Sequence, residues 1–287
     1  MKKPYSKILE DIFENEVCVA REWGRLSGNL HGKKIFSWRF FSLQWAKYAA
    51  VLLFGVILSA GYFSLKEHLF AAELQPFRVV TKKGERCSFE LPDGSKVWLN
   101  ADTELSYTGS YGKANRHLTL SGEGYFQVAK NIRLPFVVRA NGIDVTALGT
   151  SFNVRAYENE STIETMLYEG RVAVGQEGSD SYVYLAPKEV AVYDTKSGKI
   201  DTRLNEDGIS SDWRDGHISF KMVRLEDISK MLERKYNVVF LFENREMSDL
   251  RFSGSFYNDD SLEDILNVLR INASMQYVMQ GDTVKIK

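Results

Sequence analysis

From about Arg78 to Arg203 the chain repeats one short rhythm of apolar runs separated by turn residues. Val97-Trp98-Leu99, Leu118-Thr119-Leu120, Phe136-Val137-Val138, Ile143-Asp144-Val145, Phe152-Asn153-Val154 and Val172-Ala173-Val174 are rich in β-branched and aromatic residues. Tyr182–Leu185 and Val190–Tyr193 continue the series. Pro92-Asp93-Gly94, Gly122-Glu123-Gly124, Asn141-Gly142, Glu169-Gly170 and Ser197-Gly198 punctuate it. Strands at a spacing of roughly 8–12 residues, with no helical stretch between them, predict an all-β sandwich or roll. Asp93-Gly94 and Asn141-Gly142 suit hairpin turns, because Gly and Asn tolerate positive φ.

The grammar changes near Ile218. Leu225-Glu226-Asp227-Ile228 opens a helical pattern whose apolar face continues through Met231 and Leu232. The strand-like Val238–Phe242 follows, and the phrase returns as Leu262-Glu263-Asp264-Ile265 with Val268 and Leu269 in matching places. Met275–Val278 and Thr283–Ile286 complete the second copy. Acidic residues in a first helical turn face the positive end of the helix dipole, and Ser261 is placed to cap the second helix. A duplicated β-α-β unit predicts a small α+β domain with its helices on one sheet face. Its edge strands, Thr283–Ile286 among them, are candidates to accept a strand from a partner.

Between Tyr48 and Leu65 no residue is charged. The run from Trp45 to Leu65 has the length and composition of a transmembrane helix, since about twenty apolar residues span roughly 30 Å of hydrocarbon. Lys33, Lys34, Arg39 and Lys47 precede it or stand at its mouth, whereas Lys66 alone is basic just after it. That bias predicts a cytoplasmic N-terminus, with the larger part of the chain outside. A cleaved signal peptide fits less well, because both the apolar run and the segment before it are too long. Residues 1–44 carry an apolar stripe at helical spacing, Leu9, Ile12, Phe13, Val17, Ala20 and Trp23, with Leu26 a candidate to extend it. So short a segment can hardly bury that stripe alone, which points to a partner protein, a membrane surface or a second copy. The expected organisation is a helical segment at 1–44, a span at 45–65, a tether at 66–77, an all-β domain at 78–203, a linker at 204–217 and the duplicated domain at 218–287.

A net charge of −1 supplies no field that would gather nucleic acid. Cys18 and Cys87 fall on opposite sides of the predicted span and cannot pair within one molecule. His31, His68, His117 and His217 are scattered, so neither metal nor cofactor is expected. Asp93, Asn100, Glu123 and Asn153 read as turn and strand-end chemistry rather than a catalytic cluster, because no nucleophile stands with a base. Glu158 and Glu160 read as a solvated turn rather than a glycosidase pair.

Taken in order, several of these phrases resemble the FecR family of transmembrane anti-sigma factors. Leu91-Pro92-Asp93-Gly94-Ser95 with Val97-Trp98-Leu99-Asn100 is similar to its LPDGT-x-VWLN motif. Gly122–Phe126 resembles GEAYF, and Gly149-Thr150-Ser151-Phe152-Asn153-Val154 resembles GTxFNV. Glu169–Val172, Leu185–Glu189, and Trp213 with Gly216 ahead of the duplicated region resemble its later parts, over about residues 78–287. The resemblance implies an inner-membrane protein with a periplasmic C-terminus. It implies two partners, an ECF sigma factor held on the cytoplasmic side and the signalling domain of a TonB-dependent outer-membrane receptor. The stripe Leu9, Ile12, Phe13, Val17 and Trp23 would then be the sigma-binding face. It further implies Gly149-Thr150 as a candidate self-cleavage point, since a hydroxyl beside a strained glycine carbonyl can attack it. On residues alone, a membrane-anchored envelope enzyme and a structural envelope module remain alternatives from other classes.

Overall fold

The computed structural model describes residues 47–48, 50–64, 76–179, 181–205, 208–209, 212–257, 259–273 and 275–287. Residues 50–64 are helical and exposed throughout. Among the described residues no helix is long and apolar enough to cross a membrane. The rest of the expected span, including Trp45 and Leu65, lies outside the described residues, as does the stripe from Leu9 to Trp23.

Residues 76–204 form a mostly β domain of two sheets that share one strand. That strand, β5 (Arg116–Gln127), is 12 residues long. Its first half pairs antiparallel with β4 (Thr103–Thr108) and parallel with β6 (Phe136–Ala140). Its second half pairs with β3 (Lys96–Leu99) and β8 (Ser151–Ala156). The change of sheet falls at Gly122, with φ 111°, where an added Cβ would lie 2.4 Å from Thr103 Oγ1. Only glycine fits that corner. The first sheet runs from β1 (Pro76–Thr81) through β4, β5, β6 and β7 (Ile143–Ala147) to β10 (Val172–Gln176) and β11 (Tyr182–Leu185). The second runs from β2 (Cys87–Glu90) through β3, β5, β8 and β9 (Thr162–Glu169) to β12 (Glu189–Asp194) and β13 (Ile200–Leu204). Alternating inward residues fill the space between the sheets. Val97, Leu99, Leu105, Phe126, Phe136, Val138, Phe152 and Leu167 are all completely buried. Phe126 stacks on Phe152 with centroids 5.3 Å apart, and Phe136 meets both rings edge-on. The Asn141-Gly142 turn joins β6 to β7 with φ values of 46° and 90°, the left-handed pair that a two-residue hairpin requires.

The C-terminal region is a small α+β unit. Helix α1 (Leu225–Tyr236) follows β15 (His217–Arg224), and α3 (Leu262–Ala273) follows β17 (Arg251–Tyr257). A short α2 (Arg245–Ser248) lies between the two copies. Ser261 caps α3 as expected. Its Oγ takes the Asp264 N–H at 3.2 Å and lies 2.6 Å from the Asp264 carboxylate, a reciprocal capping box. Helix α1 has no side-chain cap and ends on Asn237 in the left-handed conformation.

The strands of each copy do not share a sheet. The leading strands pair with each other, β15 with β17, beside the short β14 (Gly208–Ile209). The trailing strands form a second sheet, β16 (Val239–Phe242), β19 (Thr283–Ile286) and β18 (Tyr277–Gln280). The single sheet face expected from the repeat is therefore replaced by two three-stranded sheets. Thr283–Ile286 is central rather than an edge, parallel to β16 and antiparallel to β18.

Candidate functional site

The outward faces of the motif strands carry the most concentrated chemistry. Val97 and Leu99 point into the sandwich, so Trp98 between them points out. Phe126 points in, and Tyr125 out, by the same alternation. Trp98, Tyr125 and Tyr168 of the second sheet pack with the C-terminal core of Trp213, Ile218, Phe220, Leu225 and Ile228. The Arg214 guanidinium lies 3.5 Å from the centre of the Tyr125 ring. Trp98 and Tyr168 each meet Tyr125 edge-on, at 5.6 and 5.4 Å. The motif aromatics are thus the seam on which the C-terminal region docks.

Beside the seam, three motif polar residues join one network. Glu123 accepts hydrogen bonds from Asn153 Nδ2 at 3.0 Å and Asn100 Nδ2 at 2.8 Å. Asn100 Oδ1 accepts from Arg86 Nε at 2.9 Å, and Arg86 donates onward to the Trp213 carbonyl at 2.8 Å. Burial lowers the Arg86 pKa from its ordinary value, against the opposing pull of Glu123. Asp93 behaves as turn chemistry, accepting from the Ser95 amide at 3.1 Å, and it also meets the fully buried Arg116 at 3.1 Å. The other three residues tie the β domain to the C-terminal region.

Glu160 departs from the expected solvated turn. Its carboxylate is about 10% exposed and accepts from Arg155 at 2.7 Å and from Arg234 of α1 at 2.7 Å. Arg155 makes a second bond to the other oxygen at 2.8 Å. Burial pushes the Glu160 carboxyl upward, but the two guanidiniums outweigh it and hold the group below its ordinary value. The Arg234 guanidinium also stacks 3.7 Å from the centre of the Tyr157 ring, whose hydroxyl donates to the Ala101 carbonyl at 2.9 Å. The Gly84 amide, in the turn after β1, donates to the Arg234 carbonyl at 2.8 Å.

Gly149 and Thr150 lie elsewhere, between β7 and β8. Gly149 has φ 152°, and an added Cβ would lie 2.9 Å from Lys130 Cα. Thr150 is buried, and its Oγ1 has no hydrogen-bond partner among the described residues. A backbone conformation open to glycine and an uncommitted hydroxyl therefore coincide at this peptide. Cys87 is a half-buried free thiol. Among the described residues no three His, Cys, Asp or Glu side chains gather as a metal site would require.

Arg86, Arg155, Trp213, Arg214 and Arg234 escaped sequence reasoning as parts of one seam. The available signal was Trp98 and Tyr125 on the outward phase of their strands, where large aromatics need cover.

Similarity to known proteins follows the same two halves. Residues 77–173 match the model described as FecR protein, and residues 217–286 match that described as FecR, C-terminal. Two crystal structures, at 1.65 and 2.50 Å, of a proposed anti-sigma factor from Parabacteroides distasonis ATCC 8503 resemble this chain. Each has 27% identity and a TM-score of 0.68, covering 74% of this chain and 98% of the other. Among curated proteins no sequence matches. With the motif strands in FecR order, and the FecR C-terminal region docked on the aromatics those motifs supply, this chain belongs to the FecR family.

Proposed function

We propose that this protein is an anti-sigma regulator that crosses the inner membrane once, near residues 45–65. Its N-terminal segment lies in the cytoplasm and its two folded parts in the periplasm. Residues 1–44 hold an ECF sigma factor through Leu9, Ile12, Phe13, Val17 and Trp23. The folded parts receive the signalling domain of a TonB-dependent outer-membrane receptor. The observation that carries this reading is the likeness to the Parabacteroides protein over nearly its whole chain, sandwich and α+β region together. The apolar run, its basic flank and the N-terminal stripe support the topology. The test is co-purification of the full chain, in detergent, with the sigma factor encoded nearest to its gene. Capture that Leu9→Asp with Phe13→Asp abolishes supports the reading, and failure of the unaltered chain to retain that sigma factor counts against it.

A cleavage step is favoured by the geometry at Gly149. Thr150 Oγ1 attacks the Gly149 carbonyl carbon, the C–N bond breaks, and the hydroxyl proton passes to the departing Thr150 amine. The resulting ester is opened by water, giving a Gly149 carboxylate and restoring the Thr150 hydroxyl. Thr150→Ser keeps the nucleophile and Thr150→Ala removes it. Two fragments from the unaltered protein and the serine variant, but one intact chain from the alanine variant, are expected. A single intact chain in all three refutes the step.

A further inference from the structure

A small cavity of about 20 Å³ lies in the seam between the sandwich and the C-terminal region. It has room for one water-sized particle, and none for a polyatomic ion such as sulfate or for an incoming carboxylate side chain. Arg86 reaches it from the segment between β1 and β2, and Trp213 from the short turn Asp212–Asp215 ahead of β15. Arg234 and Lys235 reach it from the last turn of α1. Arg155 of β8 and Glu123 of β5 complete its charged lining.

Hydrogen bonding says what the cavity lacks. Two of the lining residues hold a buried N–H with no partner among the described residues, Arg234 at Nη1 and Trp213 at Nε1. The Arg234 side chain is 6% exposed and Trp213 4%, so bulk water does not serve them. A buried donor left unpaired is costly, and two around one cavity call for an acceptor between them. Glu123 is committed elsewhere, because its two oxygens take the amides of Asn100 and Asn153.

Charge says which acceptor fits. Four cations line the cavity, against the Glu123 carboxylate in the lining and the Glu160 carboxylate that Arg155 and Arg234 share. The Lys235 ammonium donates to the Tyr257 carbonyl at 3.1 Å and makes no ion pair among the described residues. Burial first, and Arg86 second, push Lys235 below its ordinary pKa against the opposing pull of Asp260 and Asp259, so the two cations repel each other here. A water molecule would satisfy the N–H groups and leave this charge standing. A monatomic anion satisfies both, since hydrogen bonds from buried cations to an anion are the strong kind.

We infer that this cavity is a binding site for a single small halide, chloride in its ordinary setting, held by Arg234, Trp213, Lys235 and Arg86. The ion fastens α1 to the β1–β2 segment of the sandwich. The inference needs neither sigma binding nor cleavage at Gly149.

The test is a chloride titration of the full chain in detergent, with gluconate keeping the ionic strength constant. The thermal midpoint is expected to rise with chloride and level off, as binding to the folded state alone requires, and bromide should replace chloride. The chlorine NMR line of the bulk ion should broaden in the same concentration range. Lys235→Gln removes a half-buried cation and Trp213→Phe removes one orphan donor while keeping a ring. Each is expected to raise the half-saturating chloride concentration at least about fivefold, whatever it does to the midpoint without chloride. A midpoint that follows chloride no differently from gluconate overturns the assignment, since water would then fill the cavity. An identical chloride response in the unaltered chain and both variants also overturns it, since the ion would then bind elsewhere.

Discussion

Replacing Glu160 by Gln removes the carboxylate that, among the described residues, joins Arg155 to Arg234. Both guanidiniums are more than nine-tenths buried, and both spend their shortest bonds on this group. The variant leaves two buried cations beside a neutral amide. Breaking such a buried pair by removing one partner costs about 3–5 kcal/mol. For a unit of this size each kcal/mol moves the thermal midpoint by about 2–4 °C, so a fall of roughly 6–20 °C is expected. The loss is expected to concentrate at the seam. Amide exchange should rise in α1 and in the turn around Gly84, whose N–H is bonded to the Arg234 carbonyl, while Phe126 and Phe152 strands stay protected. Combining Glu160→Gln with Arg234→Met removes one stranded charge and is expected to recover part of the stability. The reasoning is refuted if Glu160→Gln costs less than about 1 kcal/mol, the worth of an exposed surface pair. It is equally refuted if the double variant is less stable than the single.

Gly122→Ala places a methyl group 2.4 Å from Thr103 Oγ1 at φ 111°, so a loss of at least about 2 kcal/mol in denaturant unfolding is expected, against about 1 kcal/mol for Gly178→Ala, where the space is open and only the left-handed φ of 75° is unfavourable. Arg214→Leu removes the cation over Tyr125 and is expected to cost about 1–2 kcal/mol, with increased exposure of the Trp98 and Trp213 fluorophores. Stability against pH should fall at both extremes. The lowered Glu160 pKa gives stability that is complete above the unfolded value of about 4.3 and is lost as pH falls through the folded value. Burial first, and Asp260 second, push Tyr236 up to about 12, so its contribution is complete below about 10 and is lost as pH rises through the folded value. Glu160→Gln should flatten the acid limb and Tyr236→Phe the alkaline one.

The strands that announced themselves are those whose inward positions hold large apolar side chains, such as Phe136 and Val138 or Ile143 and Val145. Strand β9 was quieter because one of its three inward places is Thr165, a polar residue with 1% exposure, and β4 contributes Leu105 alone among large apolar side chains to the core. The repeat phrase correctly located α1 and α3, because a helix is closed by bonds four residues apart. Sheet membership is a property of distant partners, and β15 found β17 rather than β16. Glu160 was opaque for the same reason. Its neighbours Glu158, Asn159 and Ser161 look like a wet loop, and the residue that buries it, Arg234, is 74 positions away. The motif residues were recognisable as a set, yet only their alternation in the strands explains why Trp98 and Tyr125 face another domain.

The turn after β1 has a mechanical meaning. Among the described residues strand β1 pairs with β4 alone, over six residue pairs from Pro76–Thr108 to Thr81–Thr103. A tug applied to the chain ahead of Pro76 loads that ladder first. Just beyond it the Lys82 carbonyl is held by the Asp102 amide, and two residues on Gly84 is fastened to the last turn of α1. Tension entering at β1 therefore divides at once between the sheet edge and the C-terminal helix. The two folded parts share the load from one end of the chain, and neither can be pulled loose without the other feeling it.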